Sequence, residues 1–301
     1  MTPLLASGST VIQAMIDSIS LGCLYALFAL GIALIFGVMG LINFAHGELV
    51  MIGGFAAVYL SGIGQPWLAL GIVGCVVVAA VLMERVAFRP LRGAAPATIL
   101  VASFGVSIVL QNAAQMAFGS LPKSTNLLSG LSTAYVVGEV SVPKLAVATV
   151  VITVVLVAAL VAFLRFTDLG IQMRAAAENF PMARLMGVRA NRVIATAFAI
   201  SGVLAAAAAV ILVSQTGSVT TTMGVNVVVV AFVATILGGA GSLPGAVLGG
   251  LLVGTLTVVL QDTLPLELRP FRDAFVYGLV LAVLVVRPQG LIVSGSRQLR
   301  V

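Results

Sequence analysis

The chain has 301 residues, of which 61% are hydrophobic and only 8% charged, and its mean hydropathy is +1.22. A soluble domain of this length needs far more polar surface, so composition excludes one. The net charge of +6 and a pI near 10.0 raise nucleic acid as a partner. The arginines, however, fall in short clusters at the ends of apolar segments, where they orient a membrane protein, so the partner is membrane lipid and no nucleic acid.

A spanning helix needs about 20 apolar residues, within a range of about 17 to 25. Runs of this kind lie near Ser18 to Val38, Leu41 to Leu60, Trp67 to Met83, Thr98 to Phe118, Leu145 to Leu164, Val193 to Val213, Asn226 to Leu237, Pro244 to Gln261 and Ala274 to Val286. These make nine segments, two of them irregular. The opening MTPLLASGST has no basic n-region and Asp17 stands at the start of the first run, so that run is expected to be retained as a span. Cys23 and Cys75 both fall inside apolar runs and read as small buried hydrophobes.

Lysine and arginine are retained on the cytoplasmic side. Arg85, Arg89 and Arg92 mark one inner loop, the stretch from Arg165 to Arg192 a second, and Arg287, Arg297 and Arg300 the tail. If every segment crosses, the three clusters agree, with the N-terminus outside and the C-terminus cytoplasmic. Lys123 and Lys144 then fall outside with Glu139, and Arg269 and Arg272 fall outside with Asp262, Glu267 and Asp273, so both outer loops are close to neutral. A re-entrant irregular segment would reduce the count to eight and leave the N-terminal side open.

The first irregular segment, LINFAHGELVMIGGF, places Asn43, His46 and Glu48 in an apolar stretch among Gly47, Gly53 and Gly54. A carboxylate at a helix centre costs about 2.5 to 3.5 kcal/mol on insertion scales, so it should face a polar cavity or a partner group. Further along, Gln111, Asn112 and Gln115 form a polar patch in the fourth span, with Gln111 and Gln115 sharing a face; amides in lipid usually bond across helices. The second irregular segment, ILGGAGSLPGAVLGGLLVG, is interrupted by Gly238, Gly239, Gly241 and Pro244. Pro244 suits the first turn of a new helix, with Ser242 or Leu243 just before it. Gly245 and Gly249, then Gly250 and Gly254, keep a small-xxx-small spacing that lets helices approach closely. Interrupted segments in the two halves of a chain point to a transport pathway of discontinuous helices. The alternative is that the glycines serve packing and that Glu48 is an interfacial residue near a helix end.

Between the fifth and sixth spans, the polar stretch from Arg165 to Arg192 carries Arg165, Arg174, Arg184, Arg189 and Arg192 against Asp168 and Glu178. Pro181 is expected to start a short helix with Met182, Leu185 and Met186 on one face, Arg184 on the polar side and Gly187 at the C-cap position. Asn191 is placed to cap the next span. A helix of about a turn and a half is unstable alone. It needs a partner groove or the membrane surface, and a Met-rich face suits adaptable docking.

Enzymatic readings fare badly. Ser242 has no base near it in sequence, His46 is the only imidazole, and no Asp or Glu is placed to orient it. One His and two distant Cys exclude the usual zinc sets, and no GxxxxGK[ST] run is present to hold ATP phosphates.

Four motifs in order, NFAHGELVMIGG at 43 to 54, RAAAENFPMARLMGV at 174 to 188, ILGGAGSLPGAVLGG at 236 to 250 and RPQGL at 287 to 291, resemble the inner-membrane permease subunits of ABC importers for branched-chain amino acids, of the LivH-like type. The resemblance runs from the first span to the last and is weakest around Leu121 to Val142. It implies an all-α polytopic membrane protein of eight to nine transmembrane segments with broken helices, a single permease domain over 1–301 in the bacterial inner membrane, with 165–192 as a cytoplasmic coupling segment. It implies as partners a LivM-like second permease, two cytoplasmic ATPase subunits and a periplasmic substrate-binding protein, with no cofactor on this chain and ATP and Mg on the ATPases. On the same basis, Glu178, Met182, Arg184, Leu185 and Gly187 would transmit ATPase closure, and Asn43, His46, Glu48, Gly241, Ser242 and Pro244 would line the substrate pathway. Three function classes follow: an ATP-driven importer subunit, an ion-coupled secondary transporter acting alone, and an intramembrane enzyme. Little intramembrane charge speaks against the second, and the lack of a placed base against the third.

Overall fold

The computed structural model describes residues 8–64, 66–125, 127, 133–137 and 140–292. Residues 1–7, Glu139 of the expected outer loop, and Arg297 and Arg300 of the expected tail lie outside the described residues.

The molecule is built round its first helix, α1 (Gly8–Met39). That helix is apolar on every side, which suits a position enclosed by other helices. In its most apolar window 78% of the residues are buried, against 22% in α4 (Pro96–Phe118) and α5 (Lys144–Phe166). The closest neighbour of α1 is α10 (Leu243–Thr263). Contact at backbone distance is allowed by glycine: a Cβ on Gly250 would overlap the main chain of Ala26, and one on Gly254 the main chain of Gly22. The opposite glycines of the same helix, Gly245 and Gly249, press against Gly238 and Ala234 of α9 (Met223–Gly238). The small-xxx-small spacing thus makes two interfaces on one helix.

Hydroxyl groups from surrounding helices reinforce α1 by donating to its carbonyls. Ser201 of α8 (Ala190–Thr216) bonds the Gly31 carbonyl at 3.2 Å, and Thr235 of α9 bonds Ala29 at 3.2 Å. The surround of α1 is completed by α5, while α2 (His46–Tyr59) packs on α8 and α9, α3 (Trp67–Met83), which runs on through a π-helical turn at Glu84–Phe88, packs on α8, and α11 (Arg272–Val286) packs on α9 and α10. Between α5 and α8 lie two short helices, α6 (Asp168–Glu178) and α7 (Phe180–Leu185). At the opposite end two short antiparallel pairs interrupt the helical architecture, β1 (Lys123–Ser124) with β4 (Ser218–Val219) and β2 (Ala134–Val137) with β3 (Val140–Pro143).

Among the described residues, six helices are long and apolar enough to cross a membrane: α1, Trp67–Phe88, α4, α5, α8 and α10. The remaining expected segments correspond to α2, α9 and α11, of 14, 16 and 15 residues. Two of these are preceded by a non-helical run, at residues 40–45 before α2 and at 217–222 before α9. Cys23 is buried as expected, whereas Cys75 is exposed, because it lies on the outward side of α3.

Gly250→Val tests the α1–α10 contact. Overpacking of a close-packed site costs about 1–3 kcal/mol, so the variant should show a lowered midpoint in thermal denaturation in detergent. Gly74→Ala, with nothing within 4 Å of the added carbon, should leave that midpoint unchanged.

Candidate functional site

The two short helices α2 and α9 meet start to start. The chain leaves α1 at Met39, runs without helix through residues 40–45, and re-enters helix at His46 after the Asn43 side chain accepts from the Ala45 amide at 3.0 Å, an Asx-type turn. Likewise α9 starts at Met223 after Gly217, whose φ of 68° turns the chain out of α8. A Cβ on Gly47 would overlap the Gly224 carbonyl, so the first turns of both helices are in backbone contact. Each first turn carries the positive end of a helix dipole.

Glu48 is buried at this junction. One carboxyl oxygen, Oε1, accepts from the Ser107 hydroxyl and from the Gln111 amide, each at 2.8 Å, and Gln111 also donates to Ser107 at 3.1 Å. Hydrogen bonds to a charged group contribute about 1.5–3 kcal/mol each, enough to offset the insertion cost of one carboxylate. The other oxygen, Oε2, has no hydrogen-bond partner among the described residues and faces Gly224, where a Cβ would lie 2.7 Å from it. A buried acceptor without a partner is uncommon and asks for an explanation.

His46 is fully buried, with Nδ1 3.1 Å from the Ser201 hydroxyl and Nε2 without a partner among the described residues, and its ring fills the space left by Gly31 on α1. Glu48 is committed to α4 and not to this imidazole. The Ser201–His46 contact therefore lacks an orienting acid among the described residues and acts as a lock between α1, α2 and α8. Phe44, just before α2, donates its amide to Ser103 at 3.2 Å and stacks on Phe104 at 4.1 Å between centroids, with Phe232 of α9 at 5.6 Å.

Asn43, His46 and Glu48 are thus gathered at one junction, but Gly241, Ser242 and Pro244 are not part of it. They form the tight turn from α9 to α10, where Ser242 caps α10 by accepting from the Gly245 amide at 3.1 Å and Gly241 takes a φ of 92°. The discontinuity that answers α2 is instead the start of α9, and its sequence signal was the polar run GSVTTTMG at 217–224. Ser107 was legible too, since Ser103, Ser107 and Gln111 recur every fourth residue on one face of α4. Of the other expected amides, Asn112 bonds its own helix at Ile108 and Gln115 is exposed.

The polar stretch is more helical than its sequence suggested. Thr167 caps α6 through the Gly170 amide at 3.0 Å, and Met173 and Ala176 bury its inner face. Asn179 then caps α7 by accepting from the Met182 amide at 3.1 Å, ahead of the expected starter Pro181. Gly187 ends it at a φ of 88°, with the Val188 amide bonded to the Ala183 carbonyl at 3.0 Å, the closure expected of a glycine after a helix. Ala183 alone on α7 is buried, while Met182, Leu185 and Met186 are 55%, 82% and 80% exposed. Glu178 and Arg184 are exposed as well.

Asn191 does not cap α8. The helix starts at Ala190 with Arg189 at its N-cap position, so Asn191 falls inside the first turn and its side chain accepts from Arg92. Arg92 also pairs with the buried Glu84. Burial pushes the Arg92 guanidinium below its ordinary pKa, and the Glu84 charge opposes that shift. The link fastens the end of α3 to the start of α8, directly after the α6–α7 segment.

Comparison with known proteins agrees with this architecture. The chain is 36% identical over 297 residues to the high-affinity branched-chain amino acid transport system permease protein LivH of Escherichia coli K12, covering 93% of this chain and 95% of that protein. It is 35% identical, with the same coverage, to the permease protein BraD of the corresponding system of Pseudomonas aeruginosa PAO1. In fold it is similar to a chain from an inward-facing metal-chelate type ABC transporter, with a TM-score of 0.52 at 16% identity over 92% of this chain and 88% of that one. The family model described as branched-chain amino acid transport system / permease component matches residues 14–284, and the chain belongs to that family.

Proposed function

We propose that this chain is the membrane permease subunit of an ATP-driven importer that moves branched-chain amino acids or related small polar solutes from a periplasmic binding protein to the cytoplasm. The observation that carries the reading is α7. A six-residue helix cannot stand alone, yet this one is fixed by two caps and displays Met182, Leu185 and Met186 beside Arg184. That surface fits a groove on a cytoplasmic ATPase subunit, and Glu178, Met182, Arg184, Leu185 and Gly187 are the residues to transmit closure. ATP and Mg would be held by two such subunits and not by this chain, and a LivM-like second permease would complete the membrane unit.

On this reading, 1–301 is one permease domain in the bacterial inner membrane with 165–192 as its coupling segment. Eight to nine segments cross, if α2 and α9 are each counted with the non-helical run that precedes it. The C-terminus and the α6–α7 end are cytoplasmic. The pathway passes Asn43, His46 and Glu48, where the uncommitted Glu48 oxygen offers an acceptor to a solute ammonium and the two helix starts favour its carboxylate. Gly241, Ser242 and Pro244 mark its cytoplasmic end.

Arg184→Glu should leave the assembled complex intact while transport per ATP hydrolysed falls by about tenfold or more, within the usual span of coupling free energies. Coupled transport and hydrolysis in proteoliposomes check it, and unaltered stoichiometry would contradict the role of α7. Glu48→Gln preserves the bonds from α4 but removes the charge, so uptake should fall with assembly unchanged, whereas Glu48→Leu should also lower thermal stability because Ser107 and Gln111 lose their acceptor. In liposomes, the isolated chain should transport nothing under any ion gradient; uptake by it alone would support a secondary transporter instead.

A further inference from the structure

A cavity of about 230 Å³ opens between the end of α1, the run before α2 and the far end of α9. Its walls are Ile32, Phe36, Ile42, Phe232 and Ile236, and Gln289 stands exposed at its rim. The last wall belongs to the RPQGL motif, which is pinned in place by backbone bonds from Leu291 to the Leu237 carbonyl at 2.9 Å and from Ile292 to the Gly238 carbonyl at 3.0 Å. A Cβ on Gly290 would meet Gly239 at 2.7 Å, so glycine is needed at both positions for the tail to dock this closely.

The cavity adjoins the Glu48 junction. Phe232, one of its walls, contacts Phe44, and Phe44 stacks on Phe104, which lies one turn from the Ser107 that bonds Glu48. Along α9, Phe232 lies about 12 Å beyond Gly224 at a helical rise of 1.5 Å per residue. A polar station, an aromatic partition and an apolar chamber therefore follow one another toward the α6–α7 end. Apolar cavities of about 150 Å³ already hold a ring the size of benzene, so this one has room for a branched four-carbon side chain. The Thr235 hydroxyl in its wall donates to the Ala231 and Ala29 carbonyls, and no wall residue is ionisable.

We propose that this cavity seats the aliphatic side chain of the solute after it passes the Phe44–Phe232 contact, so that this subunit itself sorts solutes by side-chain size. The inference rests on the transport reading above and adds to it a selectivity site. Ala240 also borders the cavity, and Ala240→Phe would fill it.

The test measures leucine and valine uptake by the complete importer in proteoliposomes with its binding protein saturated. One methylene in an apolar pocket is worth about tenfold or more in discrimination, so Ala240→Phe should lower the leucine-to-valine uptake ratio by about that factor while ATP hydrolysis and complex yield are kept. Should Ala240→Phe fail to assemble, Ile42→Trp narrows the same space and must give the same change of ratio. An unchanged ratio in an active, assembled variant overturns the selectivity site and leaves the transport reading standing. Absence of uptake of both amino acids by the unaltered importer overturns the selectivity site and confines the transport reading to other small polar solutes, whereas absence of any ATP-driven uptake overturns both.

Discussion

Everything in this molecule hangs on how closely other helices can approach α1. In lipid there is no hydrophobic drive to bring helices together, so association rests on backbone-distance packing and on hydrogen bonds between helices. Gly250 and Gly254 of α10 provide the first by fitting over Ala26 and Gly22, and Ser201 and Thr235 provide the second by donating to carbonyls of α1. Once α10 is seated, its other glycine face fixes α9, and the start of α9 then fixes α2 through Gly224 and Gly47. The position of Glu48 is therefore set by a chain of small residues that runs back to the first helix.

That arrangement explains why polar groups are tolerated at the junction. The carboxyl of Glu48 is held on one side by Ser107 and Gln111, and the imidazole of His46 is packed over Gly31 and bonded to Ser201. Each leaves one polar atom unpaired among the described residues, Glu48 Oε2 and His46 Nε2. A site meant only for packing would favour full pairing or apolar replacements. An unpaired acceptor between two helix starts supports the solute passage proposed for this junction.

Much of this was legible in the sequence, because glycine spacing and intramembrane polarity are strong signals in an otherwise apolar chain. The Asn43, His46 and Glu48 cluster, the Ser242–Pro244 helix start and the Gly187 helix end all read directly from residue type. Less legible was which irregularity would pair with which. The glycine-rich run at 238–244 looked like the counterpart of the first break, but glycine there serves a tight turn and the docking of the tail. The true counterpart, residues 217–224, interrupts its helix with hydroxyl side chains. The helix α6 was also missed, since its buried face has only Gly170, Met173 and Ala176 to announce it among charged neighbours.

In the proposed function, work done outside the membrane enters this chain at α7, and the contacts of Arg92 with Glu84 and Asn191 tie the adjoining helices together. Leu185 on α7 is 82% exposed. Cross-linking from a single cysteine at position 185 in intact cells tests the claim most directly, provided that Cys75, the other exposed thiol, is first replaced. If α7 receives an ATPase subunit, a covalent product forms between this chain and that subunit, with yield that changes on ATP binding. Labelling of position 185 by a membrane-impermeant thiol reagent from outside the cell, with no such product, would contradict it.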